Sequence, residues 1–267
     1  MMITSTSNSQ VKNILLLQNK SKARKKAGQF IVEGSKMVLE TPSERIIKIY
    51  LSESFLRNNQ EVIKKLHIKF DSALFEEVSD SVFVHMSDTQ TPQGIMAVVT
   101  MNNWKLDTII SSYDKPLIIC IQNLQDPGNL GTIMRMAEGA GVSGIIASAN
   151  TVDIYNPKTI RSTMGSIYRV PFVYADDFIG TIEMMEEKGI HVYAAHLEGT
   201  KSYTEPDYRL PTAFLVGNEA NGLSHDVAHA ASEYIKIPMQ GEVESLNAAV
   251  ACTVLTYEAV RQRDNNG

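Results

Sequence analysis

The second half of the chain alternates between short apolar runs and longer segments whose apolar residues recur every three or four positions. Short apolar runs bounded by polar or glycine-containing segments are typical of buried strands, and the longer spacing indicates helices. Strand–helix alternation predicts an α/β fold with a mostly parallel sheet covered by helices on both faces. The predicted strands are 117–121, 144–147, 191–195, 213–216 and 234–237, and the predicted helices are 130–138, 157–164, 176–188 and 244–263.

The first hundred residues predict a separate, smaller α/β domain. Ser7 is placed to cap a first helix, whose basic continuation ends near Gly28. A polar stretch without clear periodicity then separates the two halves, which predicts domains at 1–104 and 115–267 with a linker at 105–114. The other elements predicted in the first domain are strands at 29–32, 46–51, 67–70 and 95–99 and helices at 36–39, 55–66 and 72–78.

Charge is distributed unevenly along the chain, although the net charge is only −5. Up to Trp104 there are 13 Lys and Arg against 10 Asp and Glu, and beyond it there are 12 against 20. The first acidic residue is Glu33, so the cations before it are unbalanced in sequence. This asymmetry favours a polyanion such as RNA as partner of the first domain, although a solvated helix face has the same pattern. The candidate RNA-binding cations are Lys12, Lys22, Arg24, Lys25 and Lys26.

The composition disfavours membrane, secreted and zinc-binding proteins. No apolar stretch reaches the roughly 18 residues of a transmembrane helix, and the first residues lack the basic and apolar segments of a secretory signal. Cys120 and Cys252 lie in apolar surroundings, which indicates buried thiols in a reducing cytoplasm. Two cysteines without a clustered His argue against a zinc site, so neither a metal nor a membrane partner is expected.

The segment 123–135 links the first predicted strand of the second domain to the helix that follows it. Loops rich in Asn, Asp, Pro and Gly at the carboxyl end of a strand are where α/β proteins place their ligands. Asn129 is expected to cap the helix, and Arg135 is expected to point away from its apolar stripe. An Arg beside such a loop is a candidate for gripping phosphate.

Two later loops also follow predicted strands. In the first, Gly217 permits close approach of a ligand to the backbone and Glu219 supplies a carboxylate. In the second, Ser245 and Asn247 open a long helix, where they either cap it or orient a substrate hydroxyl. Each loop alone is also consistent with a tight turn or a cap, but three loops at the carboxyl ends of strands in one sheet are expected to cluster.

Together the three segments resemble the signature motifs of the SpoU/TrmH family, within the SPOUT class of RNA ribose 2′-O-methyltransferases. The resemblance covers the whole second domain. The first domain is similar, over shorter motifs, to the ribosomal-protein-like RNA-binding domain of that family. The matching segments are 129–135, 217–223, 237–239 and 245–247 in the second domain, and 30–34 and 92–94 in the first.

The resemblance implies S-adenosylmethionine as methyl donor, held by the backbone of the second and third loops. It also implies a homodimer and a deep trefoil knot in the C-terminal part, although knots are rare in proteins. Cofactor contacts are implied for Leu215, Gly217, Ile237, Met239 and Leu246, and catalytic roles for Asn129, Arg135, Glu219, Ser245 and Asn247.

The implied reaction is in-line methyl transfer to a ribose 2′-OH, which has to lose its proton. By resemblance Arg135 is the base, but a guanidinium normally stays charged, so a phosphate clamp is the easier role and both stay open. By resemblance only, the appended domain, similar to an RNA-binding domain of the family, favours 23S ribosomal RNA as substrate over transfer RNA.

Three alternatives compete with an rRNA methyltransferase. The first is a tRNA 2′-O-methyltransferase, and the second is a non-catalytic RNA- or ribosome-binding protein that keeps the fold. The third is a nucleotide-dependent α/β enzyme of another kind. The sequence lacks a P-loop for that third class, and its glycine fingerprint at 139–144 follows a helix where a dinucleotide site requires a strand.

Overall fold

The computed structural model describes residues 2–264. Two compact units divide the chain: the first comprises Met1–Asn103 with Asp153–Tyr168, and the second Trp104–Val152 with Arg169–Gly267. The strands are β1 (Gln29–Glu33), β2 (Ile46–Ser52), β3 (Phe75–Val78), β4 (Ile95–Thr100), β5 (Leu117–Ile121), β6 (Gly144–Ser148), β7 (Phe172–Ala175), β8 (His191–Ala195), β9 (Lys201–Ser202), β10 (Thr212–Val216) and β11 (Glu233–Lys236). The helices are α1 (Ser9–Asn19), α2 (Ser21–Ala27), α3 (Ser35–Glu40), α4 (Glu53–Asn58), α5 (Gln60–Lys69), α6 (Asp80–Met86), α7 (Leu106–Ser111), α8 (Pro127–Gly139), α9 (Pro157–Thr163), α10 (Phe178–Glu187), α11 (His225–His229) and α12 (Ala248–Asp264).

The first unit is built on a four-stranded sheet in the order β1-β4-β2-β3. Both neighbours of β4 run antiparallel to it, whereas β3 is parallel to β2. The central strand β4 is buried along nearly its whole length, which accounts for its continuous apolar sequence. Helix α1 covers the sheet through Val11, Ile14 and Leu17, which are fully buried at helical spacing.

A segment from the second half of the chain completes the first unit. Residues 153–168, predicted to lie in the second domain, carry α9, which packs against β1. Tyr168 is buried here, and its hydroxyl accepts a hydrogen bond from Thr41. The first unit is therefore discontinuous in sequence, which periodicity alone could not reveal.

The same segment explains the position of Arg24, which is not on the surface. Its side chain is only 3% exposed, and its guanidinium donates to Asp153 Oδ2 from Nε and from Nη2, at 3.0 and 2.6 Å. Nη1 donates to the carbonyl oxygens of Leu17 and Gln18. The inclusion of Arg24 among the RNA-binding cations is therefore wrong, because its donors are occupied inside the protein. Within the basic run, Arg24 therefore stabilises the fold, whereas Lys22, Lys25 and Lys26 lie on the surface.

Several local predictions for the first unit are wrong. The helix predicted at 55–66 is two helices that meet at Asn59, and the strand predicted at 67–70 is the end of α5. The helix predicted at 72–78 contains a short 3-10 turn followed by β3, which pairs with β2. At 75–78 the long-range pairing with β2 overrides the local preference of the sequence. Asn8, not Ser7, caps α1 through its side-chain oxygen.

The second unit confirms the predicted parallel α/β sheet. Seven strands lie in the order β7-β6-β5-β10-β8-β11-β9, and the pairings among the described residues are all parallel. Ile118 and Leu215 pack in a core with α7, α10 and α11. Because side chains alternate across a strand, the intervening Ile119 and Phe214 face the other side, where α12 packs on β10. Helix α7 lies within the predicted linker, and α12 begins four residues later than the predicted helix at 244.

Both cysteines are buried and free, as predicted. Burial raises the pKa of the Cys120 thiol and of the Cys252 thiol to about 12, so both stay neutral and act as small apolar side chains. Across residues 2–264 no helix combines the length and the apolarity that a membrane span requires.

We expect Arg24→Ala to lower the free energy of unfolding by about 3–5 kcal/mol, because it leaves a largely buried carboxylate and two carbonyl groups without their donor. Lys26→Ala in the same helix removes an exposed cation and is expected to change stability by less than about 0.5 kcal/mol. Urea denaturation of both variants measures the difference. Equal effects would show that the Arg24–Asp153 pair does not stabilise the fold.

Candidate active site

The three loops singled out in the sequence lie at one edge of the second unit's sheet. They follow β5, β10 and β11. Strands β5 and β10 are neighbours, and only β8 separates β10 from β11. Since every pairing is parallel, the carboxyl ends of these strands share one edge, as predicted.

The first loop ends in a helix cap that differs from the predicted one. Asp126, not Asn129, is the N-cap of α8: its Oδ1 accepts the backbone N–H of Asn129 at 2.7 Å. Pro127 occupies the first helical position, where its missing N–H and fixed φ are favourable. The prediction of Asn129 as cap is therefore wrong. Because Asp126 caps the helix, the Asn129 side chain can bond to other residues.

Asn129, Glu219 and Asn247 form a hydrogen-bonded group that we call the polar triad. Asn129 Nδ2 donates to Glu219 Oε1 at 3.0 Å, and Asn129 Oδ1 accepts from Asn247 Nδ2 at 3.1 Å. One residue comes from each loop, so the structure brings together three of the five predicted catalytic residues.

Asn247 caps the long helix, which is one of the two functions that the sequence left open, and it also contacts Asn129. Its Oδ1 accepts the backbone N–H groups of Ala249 and Val250 at the start of α12, at 2.9 and 3.3 Å. This acceptor role fixes the amide orientation, so that Nδ2 points to Asn129. The cap thus holds a polar side chain rigidly within the triad.

Glu219 is held as a carboxylate by donors from the first loop. The backbone N–H of Asp126 donates to Oε1 at 3.3 Å and that of Gln125 to Oε2 at 3.4 Å, in addition to the bond from Asn129. Partial burial works to raise the pKa of Glu219, but these hydrogen bonds outweigh it and leave the pKa below its usual value. The triad therefore has a fixed negative end at neutral pH.

The second loop requires a glycine for the packing of its own backbone, whether or not a ligand approaches there. A Cβ on Gly217 would lie 2.1 Å from the carbonyl carbon of Gly222 and 2.4 Å from the nitrogen of Leu223. The backbone of the loop itself, closed by paired N–H···O bonds between Asn218 and Gly222 at 2.9 Å, occupies the space beside Gly217. Gly217 is thus essential to the loop that carries Glu219.

The third loop presents unpaired backbone groups at the same sheet edge. Residues 237–246 make no hydrogen bond with the rest of the described chain. Ile237, Met239 and Leu246 are half-buried in this segment. Apolar surface beside free N–H and C=O groups suits a small ligand with a flat heterocycle, so the segment fits the adenosyl part of the predicted cofactor.

The remaining predicted site residues lie apart from these contacts. Leu215 is fully buried in the core, so only its backbone could reach a ligand. Ser245 is exposed without a hydrogen bond to the described residues. Arg135 is exposed on α8 and likewise has no hydrogen bond or ion pair with them. Its outward direction, opposite the buried Ile133 and Met134, is as predicted.

Sequence reasoning missed residues that position the triad. Asn123 has a positive φ of 53°, its Oδ1 accepts from Ser148, and its carbonyl oxygen accepts from Asn218 Nδ2 at 2.8 Å. Gln125 contributes the N–H that reaches Glu219. The Asp-Pro pair at 126–127 is a helix-start signal that could have identified the true cap. Nothing in the sequence signals the other contacts, since they are tertiary.

Within residues 2–264 no group of three or more His, Cys, Asp or Glu side chains is arranged to hold a metal ion.

Comparison with known families excludes one of the three alternatives considered for this site. Residues 116–257 match the model of the SpoU rRNA Methylase family, and residues 8–97 match the MRM3-like substrate binding domain. The chain belongs to the SpoU rRNA methylase family. The predicted family is therefore confirmed, and the third alternative, an unrelated nucleotide-dependent enzyme, is excluded.

One curated relative and two solved structures match this SpoU protein along nearly their whole length. It is 31% identical over 256 residues to the 23S rRNA (guanosine(2553)-2′-O)-methyltransferase RlmP of Bacillus subtilis, covering 96% of this chain and 97% of that protein. The AdoMet-bound rRNA methyltransferase from Sinorhizobium meliloti aligns with a TM-score of 0.82 at 29% identity, covering 98% and 97%. The SpoU methyltransferase AviRb from Streptomyces viridochromogenes, in complex with AdoMet, aligns with a TM-score of 0.83 at 27% identity, covering 97% and 100%. The prediction of S-adenosylmethionine as the cofactor of this family is thereby confirmed.

We expect Gly217→Ala to destabilise the SpoU domain, because the loop backbone at Gly222 has to move to admit a methyl group. Overpacking of this kind costs roughly 1–3 kcal/mol, and each kcal/mol lowers Tm by about 2–4 °C in a domain of this size. Gly241→Ala is the matched control, since a Cβ there meets nothing within 4 Å. Thermal denaturation of the two variants tests this, and equal Tm values would contradict it.

Proposed function

We propose that this protein transfers a methyl group from S-adenosylmethionine to a ribose 2′-OH of 23S ribosomal RNA in the cytoplasm. The observation that carries the proposal is the polar triad of Asn129, Glu219 and Asn247, joined by hydrogen bonds at the sheet edge. A full-length match to rRNA methyltransferases supports ribosomal RNA as the substrate.

The cofactor fits the third loop and the backbone around Gly217. Unpaired N–H and C=O groups of residues 237–246 can hydrogen bond the adenine, and the half-buried Ile237, Met239 and Leu246 can contact its faces. Bound there, S-adenosylmethionine supplies an electrophilic methyl group. Leu215 contributes only backbone, because its side chain belongs to the core.

The polar triad orients the ribose. Its members are held by caps and backbone donors before any substrate arrives, so little ordering is left for the reaction. Amide and carboxylate groups can donate to and accept from a ribose hydroxyl. Exposed Ser245, in the third loop, supplies a further hydroxyl at the edge.

Arg135 is proposed to hold an RNA phosphate. It has no hydrogen bond or ion pair with the described residues, so its five donors are available to substrate. A guanidinium stays protonated in proteins, which favours bidentate phosphate binding over removal of the 2′-OH proton. A phosphate oxygen held there can accept that proton.

The first unit is proposed to bind RNA through exposed cations. Lys12, Lys22, Lys25 and Lys26 lie on the surface of α1 and α2. Arg24 is excluded from this set, since its guanidinium is buried against Asp153. The match to a substrate binding domain over residues 8–97 supports this role.

The functional form is proposed to be a homodimer that packs through α12. Val250 and Tyr257 are exposed and Val254 is half-buried, at the spacing of one helix face. An apolar face on a helix that is already buried on its other side is typical of a subunit interface. The trefoil knot stays a prediction for the same C-terminal region.

A transfer RNA substrate and a non-catalytic role are the competing functions. Intact polar side chains at Asn129, Glu219 and Asn247 argue against a protein that has lost catalysis, because their mutual contacts are all in place.

The substrate assignment is tested by incubating the purified protein with radiolabelled S-adenosylmethionine and either unmodified 23S rRNA transcript or bulk tRNA. We expect incorporation into the rRNA at one position, mapped as a ribose methyl that blocks alkaline cleavage. Incorporation into tRNA alone would show that tRNA, and not rRNA, is the substrate. Cofactor binding without incorporation into either RNA would favour the non-catalytic role.

We expect Arg135→Ala to reduce kcat by about 100-fold or more while S-adenosylmethionine binding is kept, since removal of a positioned donor costs this much. Arg135→Lys should restore little activity if two phosphate oxygens are gripped at once. Arg209→Ala, an exposed Arg of the same unit outside the three loops, serves as control. Single-turnover methylation measures the rate, and calorimetric titration measures S-adenosylmethionine binding. Wild-type turnover in Arg135→Ala would show that Arg135 has no role in the reaction.

We expect the double variant Lys22→Gln and Lys26→Gln to bind RNA more weakly and with a flatter salt dependence. Loss of two phosphate contacts should reduce the slope of log K against log salt by up to roughly two. The control with equal charge change is Lys64→Gln with Lys65→Gln, on the exposed side of α5. Filter binding across a salt series compares them, and identical slopes for both pairs would refute a specific role for α2.

A further inference from the structure

A polar cavity of about 330 Å³ lies in the second unit beside the loop that carries Glu219. Six of its lining residues carry side-chain amides, and the others are Gly222 and Ser224, so no charged residue lines it. The amide residues are Gln122, Asn123, Gln125, Asn150, Asn218 and Asn221.

The cavity adjoins the polar triad through residues that contact Glu219 or lie in the same loop. Gln125 lines the cavity, and its backbone N–H donates to Glu219. Asn218 and Asn221 belong to the loop on which Glu219 lies. A ligand bound in the cavity would therefore lie next to a ribose bound at the triad.

Part of the amide lining is fixed by internal hydrogen bonds. Gln122 exchanges two hydrogen bonds with Ser224, through Nε2 at 2.7 Å and Oε1 at 2.8 Å. Gln125 Nε2 donates to the carbonyl oxygens of Asn123 and Asn150, both at 2.9 Å. These bonds hold the walls in place before a ligand enters.

Asn218 is also bonded within the protein, but some amide groups of the lining have no hydrogen-bond partner among the described residues. Gln125 Oε1, Asn123 Nδ2 and the side chains of Asn150 and Asn221 make no hydrogen bond there. Asn150 and Asn221 are exposed at the cavity mouth. The cavity therefore offers neutral donors and acceptors in close proximity.

We propose that this amide pocket binds the base of the nucleotide whose ribose is methylated and selects it by its hydrogen-bonding edge. The inference rests on the proposed function. A phosphate would require cations, which the pocket lacks, whereas amides match the mixed donors and acceptors of a base edge. The volume lies at the lower end of ligand pockets, which suits one base turned out of its stack.

The first test measures base discrimination with transcripts that carry each of the four bases at the mapped position. We expect wild-type protein to prefer one base, and Asn150→Ala or Asn221→Ala to reduce the ratio of kcat/KM values by about fivefold to tenfold, the effect of one lost hydrogen bond. Both substitutions keep the backbone groups used in internal bonds. Asn58→Ala, an exposed residue of the first unit, should keep the wild-type ratio.

A wild-type enzyme that methylates all four transcripts equally would overturn the inference, and so would an unchanged ratio in both pocket variants. Absence of any methylation would instead contradict the proposed function. A second measurement then addresses the pocket by itself: NMR signals of the Asn and Gln side-chain amides during titration with adenosine, guanosine, cytidine or uridine. We expect the Asn150 and Asn221 signals to shift with one nucleoside more than with the others. Shifts with inorganic phosphate or free ribose alone, or with no nucleoside, would overturn the proposal.

Discussion

The parallel hydrogen bonding of β10 between β5 and β8 is the constraint on which the site depends. It aligns the carboxyl ends of the strands, so that loops separated by about a hundred residues in sequence meet at one edge. Gly217 then allows the second loop to fold back on its own backbone, which brings Glu219 to the start of α8. Without this alignment, none of the triad contacts between the three loops could form.

Local caps and long-range contacts support each other at this edge. Asp126 satisfies the backbone of α8, and this releases Asn129 for Glu219 and Asn247. Asn247 in turn satisfies the backbone of α12 with one end of its amide and Asn129 with the other. The polar groups are thus fixed by secondary structure, which has the same effect as a rigid supporting shell around a catalytic site.

Much of the second unit could be predicted from its sequence, because buried parallel strands read as apolar runs between amphipathic helices. The clustering of the three loops followed from that alternation. The identity of the α8 cap did not, since Asp126 and Asn129 are both good capping residues and only the position of Pro127 distinguishes them. The role of Arg24 was hidden for a different reason: its partner Asp153 lies 129 positions away in sequence, and a buried cation looks like its exposed neighbours in a basic run. In the first unit, β3 could not be predicted because it contains two glutamates, which are uncommon in strands. This strand is stabilised by pairing with β2.

The discontinuity of the first unit affects how such proteins can be divided or recombined. The chain passes between the two units after Asn103, after Val152 and after Tyr168, so no single peptide bond separates them. A fragment cut at Asn103 would carry the Arg24 guanidinium without its carboxylate, and the remaining fragment would carry α9 without the strand that it covers. The first unit therefore cannot be exchanged as a simple N-terminal module. Domain shuffling would have to replace 153–168 together with the first hundred residues.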